Sequence, residues 1–166
     1  SKKKKQRMNK IDSLNQVAEF HKTFHHPIVK EPTIPNEKRS ALRVSLIAEE
    51  LKELQEAIEQ KDIVEIADAL CDIQYVLSGA VLEFGMGDVF VELFNEVQRS
   101  NISKAFVSEE EAQATVEYYK EKRGEESYFK QEGDKYLVFR KSDDKTLKSI
   151  NYSPADLKRI LKKDNL

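Results

Sequence analysis

The sequence lacks the features that identify membrane-spanning, secreted and disulfide-stabilised proteins. Its 166 residues contain a single cysteine, which excludes an intramolecular disulfide. No apolar run approaches the roughly 20 residues of a membrane-spanning helix, and the lysine-rich start at residues 2–5 is followed by polar residues instead of an apolar signal segment. We therefore expect a cytoplasmic protein without a membrane partner.

Basic residues are missing from one long stretch of the chain. The 37 residues from Asp62 to Gln98 contain eight acidic residues and no lysine or arginine, and a further acidic cluster at residues 49–56 precedes them. Carboxylates at helical spacing repel one another, so another group must neutralise them, and a divalent metal ion is the obvious candidate. The overall net charge of −2 gives no electrostatic reason to expect nucleic acid as a partner.

Length and composition predict one compact unit with helices in its first two thirds. With 39% hydrophobic and 35% charged residues, the chain suffices for one core but hardly for two. Proline and glycine positions predict helices over residues 11–23, 37–60, 62–83 and 88–104. We expect these helices to form a four-helix core within residues 11–106, after a basic flexible N-terminus of residues 1–10.

Residues 107–166 predict a small appendage packed on the same domain. Residues 109–123 have the composition of a polar helix, and apolar and aromatic residues on both sides of Glu132-Gly133-Asp134 predict a β-hairpin. Ser153 before Pro154 predicts the start of a short final helix. The predicted fold class is therefore all-α, with this hairpin and helix as additions.

The second predicted helix directs two glutamates towards the core. At about 100° per residue, Glu50 and Glu53 fall inside its apolar arc, whereas Glu59 falls on the opposite face and Glu49 at the edge of the arc. Burying an ionised carboxylate is costly unless it is paired or metal-bound. We therefore interpret Glu50 and Glu53 as metal ligands. The apolar arc consists of Leu42, Leu46, Ile47, Leu51, Leu54 and Ile58.

The third predicted helix is apolar or small on nearly all sides, which predicts a buried helix. Its one polar face carries Glu65, Asp68, Asp72, Tyr75 and Gly79. Facing the second helix, this stripe would complete a cage of oxygen ligands. Two alternatives stay open: Glu65 is equally well explained as the capping-box partner of Asp62, and Tyr75 as a core residue. Cys71, on the apolar side, is expected to be a small core residue.

The ligand types favour magnesium over iron. The three histidines, His21, His25 and His26, precede the acidic helices, so the Glu-x-x-His pairs of di-iron bundles are missing. An all-oxygen set suits Mg²⁺, with Mn²⁺ as a substitute. Because Mg²⁺ sites commonly leave coordination positions for substrate phosphates, we expect phosphate chemistry.

Three segments resemble the all-α nucleoside triphosphate pyrophosphohydrolases, which include MazG-like enzymes, phosphoribosyl-ATP pyrophosphohydrolase and the dimeric dUTPases. The segments are EELKE at residues 49–53, EIADALCDIQYV at residues 65–76 and RSNISK at residues 99–104. Their occurrence together, in this order, is more specific than any one of them, and the resemblance covers residues 11–104. Within the superfamily the chain looks closest to the MazG-like branch with dUTPase-type activity.

The resemblance implies a site formed by Glu49, Glu50, Glu53 and Asp72. In it, Glu50, Glu53 and Asp72 bind Mg²⁺, while Glu49 binds metal or helps to activate the attacking water. The chain departs from the family's Glu-x-x-Asp pattern, because Ala69 stands three residues before Asp72. Either Asp68 or Glu65 then completes the metal site. The resemblance also implies a homodimer or a higher homo-oligomer.

Basic and aromatic residues supply candidates for substrate binding. Lys104 and Asn101 are assigned to phosphate or sugar contacts, and Arg99 fits this role as well as it fits a surface charge at a helix C-terminus. Tyr75 and His25 are candidates for contacts with the nucleoside.

The expected reaction is Mg²⁺-dependent hydrolysis of a nucleoside triphosphate to the monophosphate and pyrophosphate, as in removal of unwanted nucleotides from the cellular pool. The resemblance favours dUTP or another pyrimidine deoxynucleotide as substrate. The alternative is a non-catalytic helical interaction protein with a regulatory divalent-cation site.

Overall fold

A computed structural model describes residues 7–106 and 108–162, and these are mostly helical. Three strands, β1 (Ser127–Glu132), β2 (Lys135–Arg140) and β3 (Thr146–Leu147), form an antiparallel sheet in the order β1-β2-β3. No helix in these ranges combines the length and apolar character that crossing a bilayer requires. Residues 1–6 of the predicted basic N-terminus lie outside the described residues. The helices are α1 (Ser13–Thr23), α2 (Glu37–Glu59), α3 (Ile63–Glu83), α4 (Phe90–Ile102), α5 (Glu109–Arg123) and α6 (Leu157–Leu161).

Contacts divide the chain into two compact units between Phe90 and Val91, whereas length and composition predicted one. The N-terminal unit contains α1, α2 and α3, and the C-terminal unit contains almost all of α4, the sheet, α5 and α6. The sequence had assigned α4 to the helical core and placed the boundary at residues 106/107. That functional boundary stays a prediction.

The helices of the N-terminal unit begin and end within two residues of the predicted bounds, with the largest difference at α1, which begins at Ser13 instead of residue 11. Asn36 caps α2 by accepting a hydrogen bond from Arg39 N at 2.9 Å, and Asp62 caps α3 by accepting from the backbone N–H groups of Val64 and Glu65. The chain leaves α3 at Gly85, whose φ of +72° suits glycine. The predicted N-cap and the predicted stop are confirmed. In this unit α3 packs against both α1 and α2.

The interior of the N-terminal unit contains a cluster of charged side chains beside buried apolar residues such as Val17 and Leu82. Glu83 is only 2% exposed, and its carboxylate accepts hydrogen bonds from Arg39 at 2.7 and 2.9 Å and from Arg43 at 2.6 Å. Gly79 leaves the space for this arrangement, because a Cβ there would lie 2.7 Å from Arg43 Nη1 and 3.1 Å from His21 Nε2. Burial lowers the pKa of His21, so the neutral ring donates from Nδ1 to the carbonyl oxygen of Pro27 at 2.8 Å.

Large apolar side chains stay uncovered on the two acidic helices, which corrects two predictions. Leu51 and Ile58, members of the apolar arc of α2, are 58% and 56% exposed, and Leu70 of α3 is 53% exposed. The prediction that α3 is buried is therefore wrong for the single chain, and Cys71 is exposed instead of lying in the core. The reason is that α1 and α2 pack against α3 without covering its remaining sides.

The C-terminal unit encloses an apolar cluster. Phe106, Ala112, Val138 and Leu147 are buried at its centre, and aromatic residues of α5, β1 and β2 pack around them. Phe106 and Tyr136 exchange two backbone hydrogen bonds of 2.8 Å, which join the end of the α4 segment to β2. The polar helix predicted over residues 109–123 is confirmed.

The predicted hairpin is confirmed, and the predicted final helix begins later than expected. A two-residue connection, Gly133-Asp134, joins β1 and β2, and Glu132 pairs with Lys135 across it. The sequence did not predict β3, which has only two residues. The start of α6 at Ser153 and Pro154 is wrong, because Asp156 caps this helix by accepting from Arg159 N.

Candidate metal centre

Three carboxylates from α2 and α3 converge in the N-terminal unit. Glu50, Glu53 and Asp72 each offer one oxygen, and these oxygens all lie within 4.8 Å of one another. Glu50 and Glu53 are three residues apart on α2, so they are neighbours on the helix surface, and Asp72 comes from α3, which packs along α2. Glu50 and Asp72 are partly buried and Glu53 is exposed. We call these three residues the acidic triad.

The electrostatics of the acidic triad fit a divalent cation. Glu50 Oε2 is buried and has no hydrogen-bond partner among the described residues. Burial raises the pKa of Glu50 to about 7, and contact with Glu53 acts in the same direction. The charges of Asp72 and Glu49 add to this effect. A hard cation coordinated by oxygen would relieve both the desolvation of the carboxylates and their repulsion.

Asp72 shows the same pattern on the opposite helix. Burial raises its pKa, and the charges of Asp68 and Glu53 raise it further. Because Asp68 lies one helical turn before Asp72, it adds negative charge to the centre without belonging to the close set of ligand atoms. The same is true of Glu49, which is exposed beside Glu50.

Glu65 lies at the start of α3 and is exposed. Its backbone N–H donates to the Asp62 side chain at 3.2 Å, as in an N-cap, whereas the Asp62 N–H donates to Ala57 O. The reciprocal half of a capping box is therefore not formed. Glu65 is not one of the three close ligands, so its role in the metal site stays a prediction.

Some of the acidic residues in the stretch without basic residues are neutralised by arginines from outside it. Glu83 pairs with Arg39 and Arg43 of α2, and these arginines lower its pKa despite its burial. Glu96 makes a two-point contact with Arg99 at 2.6 and 2.9 Å. The local absence of lysine and arginine therefore does not by itself identify a metal ligand.

The candidates for substrate binding lie in different parts of the chain. Tyr75 is 40% exposed on α3, with its ring edge-on to Phe20 at 5.5 Å. His25 is exposed in the segment after α1, at a φ of +59°. In the C-terminal unit, Asn101 and Lys104 line a cleft, whereas Arg99 binds Glu96 and also donates to Pro154 O at 3.2 Å.

The sequence reasoning missed two groups of residues. One is the arginine pair Arg39 and Arg43, which holds Glu83 at the end of α3. The other comprises basic residues of α5, of β2 and on both sides of β3 that join Lys104 around the same cleft, namely Arg123, Arg140, Lys145 and Lys148. Their sequence signal was the recurrence of basic residues on both sides of the hairpin.

Comparisons with known proteins agree with this geometry. The family model described as phosphoribosyl-ATP pyrophosphohydrolase matches residues 17–101. An uncharacterized protein of Acanthamoeba polyphaga mimivirus is 39% identical over 85 residues, which cover 49% of this chain and 32% of that protein. The chain thus spans about a third of the length of this relative. The acidic triad lies within the segment that the family model matches.

Proposed function

The chain belongs to the phosphoribosyl-ATP pyrophosphohydrolase family, and we propose that it is a Mg²⁺-dependent nucleoside triphosphate pyrophosphohydrolase. Its family is one of hydrolases that act on phosphoric anhydrides. The observation that carries the proposal is the acidic triad, whose three oxygens lie within 4.8 Å of one another. The proposed substrate is dUTP or another pyrimidine deoxynucleotide, and the products are the monophosphate and pyrophosphate.

In this proposal Glu50, Glu53 and Asp72 hold the metal ion. Mg²⁺, or Mn²⁺ in its place, would supply positive charge to phosphate oxygens and lower the pKa of water. The chain contributes ligands from two helices that pack against each other, so the spacing of the carboxylates does not depend on a loop. Asp68 adds negative charge from the next turn of α3, and Glu65 is retained as a candidate for completing the site.

Glu49 is the proposed catalytic residue. It follows Ala48 on the exposed side of α2 and directly precedes Glu50, and it forms no ion pair in the described parts of the chain. A carboxylate in this position is accessible to water and can accept the proton that the attacking water loses. The roles of Tyr75, His25, Asn101 and Lys104 in substrate binding stay predictions, while the contacts of Arg99 favour its structural role.

An assay of a nucleotide panel tests the proposal. We expect release of pyrophosphate and a monophosphate in the presence of Mg²⁺, and no turnover in EDTA. Release of orthophosphate alone would mean that a different bond is broken. Absence of turnover with either Mg²⁺ or Mn²⁺ would favour the alternative, an interaction protein with a regulatory cation site.

We also propose that the functional form is a homodimer or a higher homo-oligomer. The support is the large apolar side chains of α2 and α3 that the single chain leaves exposed, such as Leu51, Ile58 and Leu70. A further helix beside α1, α2 and α3 would cover them. With this further helix, the proposal keeps the four-helix core that the sequence predicts.

Light scattering coupled to size-exclusion chromatography tests the assembly. We expect the parent protein to be a dimer or larger, and Ile58→Glu and Leu70→Glu to shift it towards the monomer. Gln55→Glu adds the same charge at an exposed polar position of α2 and should leave the mass unchanged. A parent protein that is monomeric at all concentrations would contradict the proposal.

A further inference from the structure

We propose that the C-terminal unit binds a phosphorylated small molecule of mononucleotide size in a basic cleft. The cleft has a volume of about 390 Å³, at the lower end of the roughly 300–1,000 Å³ of small-molecule sites. Its walls come from the end of α4, the end of α5, β2, β3 and the segments next to β3. One acidic residue, Glu125, faces five basic residues: Lys104, Arg123, Arg140, Lys145 and Lys148.

Two of the five basic residues are engaged within the protein. Arg140 makes a two-point contact with Asp143 at 2.9 and 2.8 Å and lies 3.6 Å from Glu125. Lys148 Nζ lies 4.5 Å from the centre of the Tyr152 ring and 3.4 Å from its hydroxyl oxygen. These contacts fix the walls of the cleft.

The other three basic residues, Lys104, Arg123 and Lys145, form no ion pair in residues 7–106 and 108–162. Basic side chains on an ordinary protein surface are dispersed among acidic ones, whereas here three unpaired positive charges converge on one concave surface. Glu125 is already close to Arg140, so the cleft has no acid of its own that would neutralise them. Convergent charges in a concavity concentrate the field and attract anions.

The residue types favour phosphate over a single carboxylate. A phosphate monoester carries close to two negative charges near neutral pH and three acceptor oxygens, which suits several cations at once. The planar guanidinium of Arg123 can bind two of these oxygens together, and the lysine ammonium groups act as compact charges that adapt to the remainder.

Two tyrosines, Tyr119 and Tyr152, give the cleft an aromatic surface beside its charged groups. Tyr119 packs against the apolar cluster, and its hydroxyl donates to Lys148 O at 3.1 Å, which anchors the chain after β3. Tyr152 follows Lys148 by four residues and also lines the cleft. Aromatic rings beside cations are the combination that binds a base attached to a phosphate. The ligand class is therefore a nucleotide.

This site goes beyond the proposed catalytic function and does not rest on it. Lys104, a candidate for binding the catalytic substrate, is assigned to the cleft in this proposal instead. Arg123, Arg140, Lys145 and Lys148 all follow residue 101, where the match to the family model ends. These four residues therefore lie outside the family match, and the cleft can be tested in a protein whose acidic triad has been altered.

The test measures binding by isothermal titration calorimetry to the full chain carrying Asp72→Asn in EDTA, so that the proposed reaction does not run. The probes are uridine monophosphate, inorganic phosphate and uridine. We expect the monophosphate to bind most tightly, phosphate more weakly, and uridine without measurable affinity. In this background, Lys145→Glu and Arg123→Glu should each weaken monophosphate binding about tenfold or more.

Lys120→Glu is the matched control, since it makes the same charge change at an exposed position of α5 that does not line the cleft. We expect it to change the affinity less than about twofold, as long-range charges are screened. Equal losses in Lys145→Glu and Lys120→Glu, or no binding of either phosphate probe, would overturn the proposal. So would a single-stranded oligonucleotide binding far more tightly than the monophosphate, because the partner would then be a nucleic acid.

Discussion

The two compact units differ in the residues at the centre of their interiors. In the N-terminal unit a glutamate and arginines lie inside, and large apolar side chains such as Leu51 and Leu70 face outwards. In the C-terminal unit Phe106 and Val138 are fully buried in an apolar cluster. Both units leave apolar side chains of their helices exposed, Val91 and Ile102 in the C-terminal unit among them, so the difference lies in the interior. A buried ion-pair cluster depends on specific charged partners, whereas an apolar cluster depends on packing.

The same contrast holds for charges that lack a partner. The N-terminal unit leaves carboxylates of the acidic triad unneutralised, and the C-terminal unit leaves Lys104, Arg123 and Lys145 without an ion pair among the described residues. In our proposals a ligand of the opposite sign neutralises each excess, a divalent cation in the first case and a phosphate in the second. Four predictions test this comparison.

The largest effect is expected from breaking the buried ion pairs of the N-terminal unit. Glu83→Gln leaves Arg43 and Arg39 without their carboxylate, and removing one partner of a buried pair costs about 3–5 kcal/mol. Urea denaturation measures the loss. Glu96→Gln, which breaks the more open pair with Arg99 in the C-terminal unit, should cost less. Equal midpoints for Glu83→Gln and the parent would contradict the charged interior described here.

The second-largest effect is the loss of activity expected when the acidic triad is altered. Glu50→Gln, Glu53→Gln and Asp72→Asn each remove ligand charge, so we expect kcat/KM for the best nucleotide to fall about 100-fold or more, which corresponds to about 2.7 kcal/mol. Circular dichroism should show an intact fold, because these changes reduce carboxylate repulsion. Glu59→Gln, at an exposed position of α2, serves as the control. Full activity in all the triad variants would exclude the proposed site.

Metal binding should stabilise the N-terminal unit, because the cation relieves the repulsion between the carboxylates of the acidic triad. At a Mg²⁺ concentration about 100 times Kd, linkage predicts about 2.7 kcal/mol of added stability. Thermal melts at neutral pH with Mg²⁺ and with EDTA should show a higher Tm with metal in the parent, and a smaller rise in Asp72→Asn. Identical melts with metal and with chelator would show that the carboxylates are already compensated within the protein.

The smallest effect is the pH dependence that Glu83 contributes. The arginines lower its pKa below the usual 4.5, so the folded state holds the ionised form more strongly than the unfolded state does. This stabilisation is complete above the unfolded pKa and is lost as the pH falls through the folded pKa. Stability measured from pH 6 downwards should therefore decline less steeply in Glu83→Gln than in the parent. Parallel curves would contradict the assignment.

Local signals in the sequence predicted local structure well. Asp62 indicated the start of α3, Gly85 its end, and Gly133-Asp134 the hairpin, because caps and turns depend on residues a few positions apart. The angular positions of Glu50 and Glu53 on α2 and of Asp72 on α3 also indicated the three residues of the acidic triad, since helical periodicity fixes which side chains share a face. The predicted inward position of Glu53 is wrong for the single chain, because this residue is exposed.

Predictions that depended on a distant partner were weaker. The residues next to Glu83 in the sequence give no sign of its partners Arg39 and Arg43, which are 44 and 40 positions away. Likewise, an apolar arc on a helix indicates a buried face but not which element packs against it. The sequence therefore placed Cys71 and much of α3 in a core, whereas both are exposed in the single chain. The cleft of the C-terminal unit was missed for the same reason, because β3 brings Lys145 and Lys148 beside residues from two helices.

Gly79 has a consequence for engineering this protein. Replacing a glycine inside a helix by alanine usually gains about 1 kcal/mol of helix propensity, and Gly79 lies well inside α3. Here the new methyl group would lie 2.7 Å from Arg43 Nη1, so the buried guanidinium that binds Glu83 through Nε would have to shift. A routine design rule for thermostability would thus disturb a salt bridge at this position. The glycine is best treated as part of the binding site for an arginine side chain.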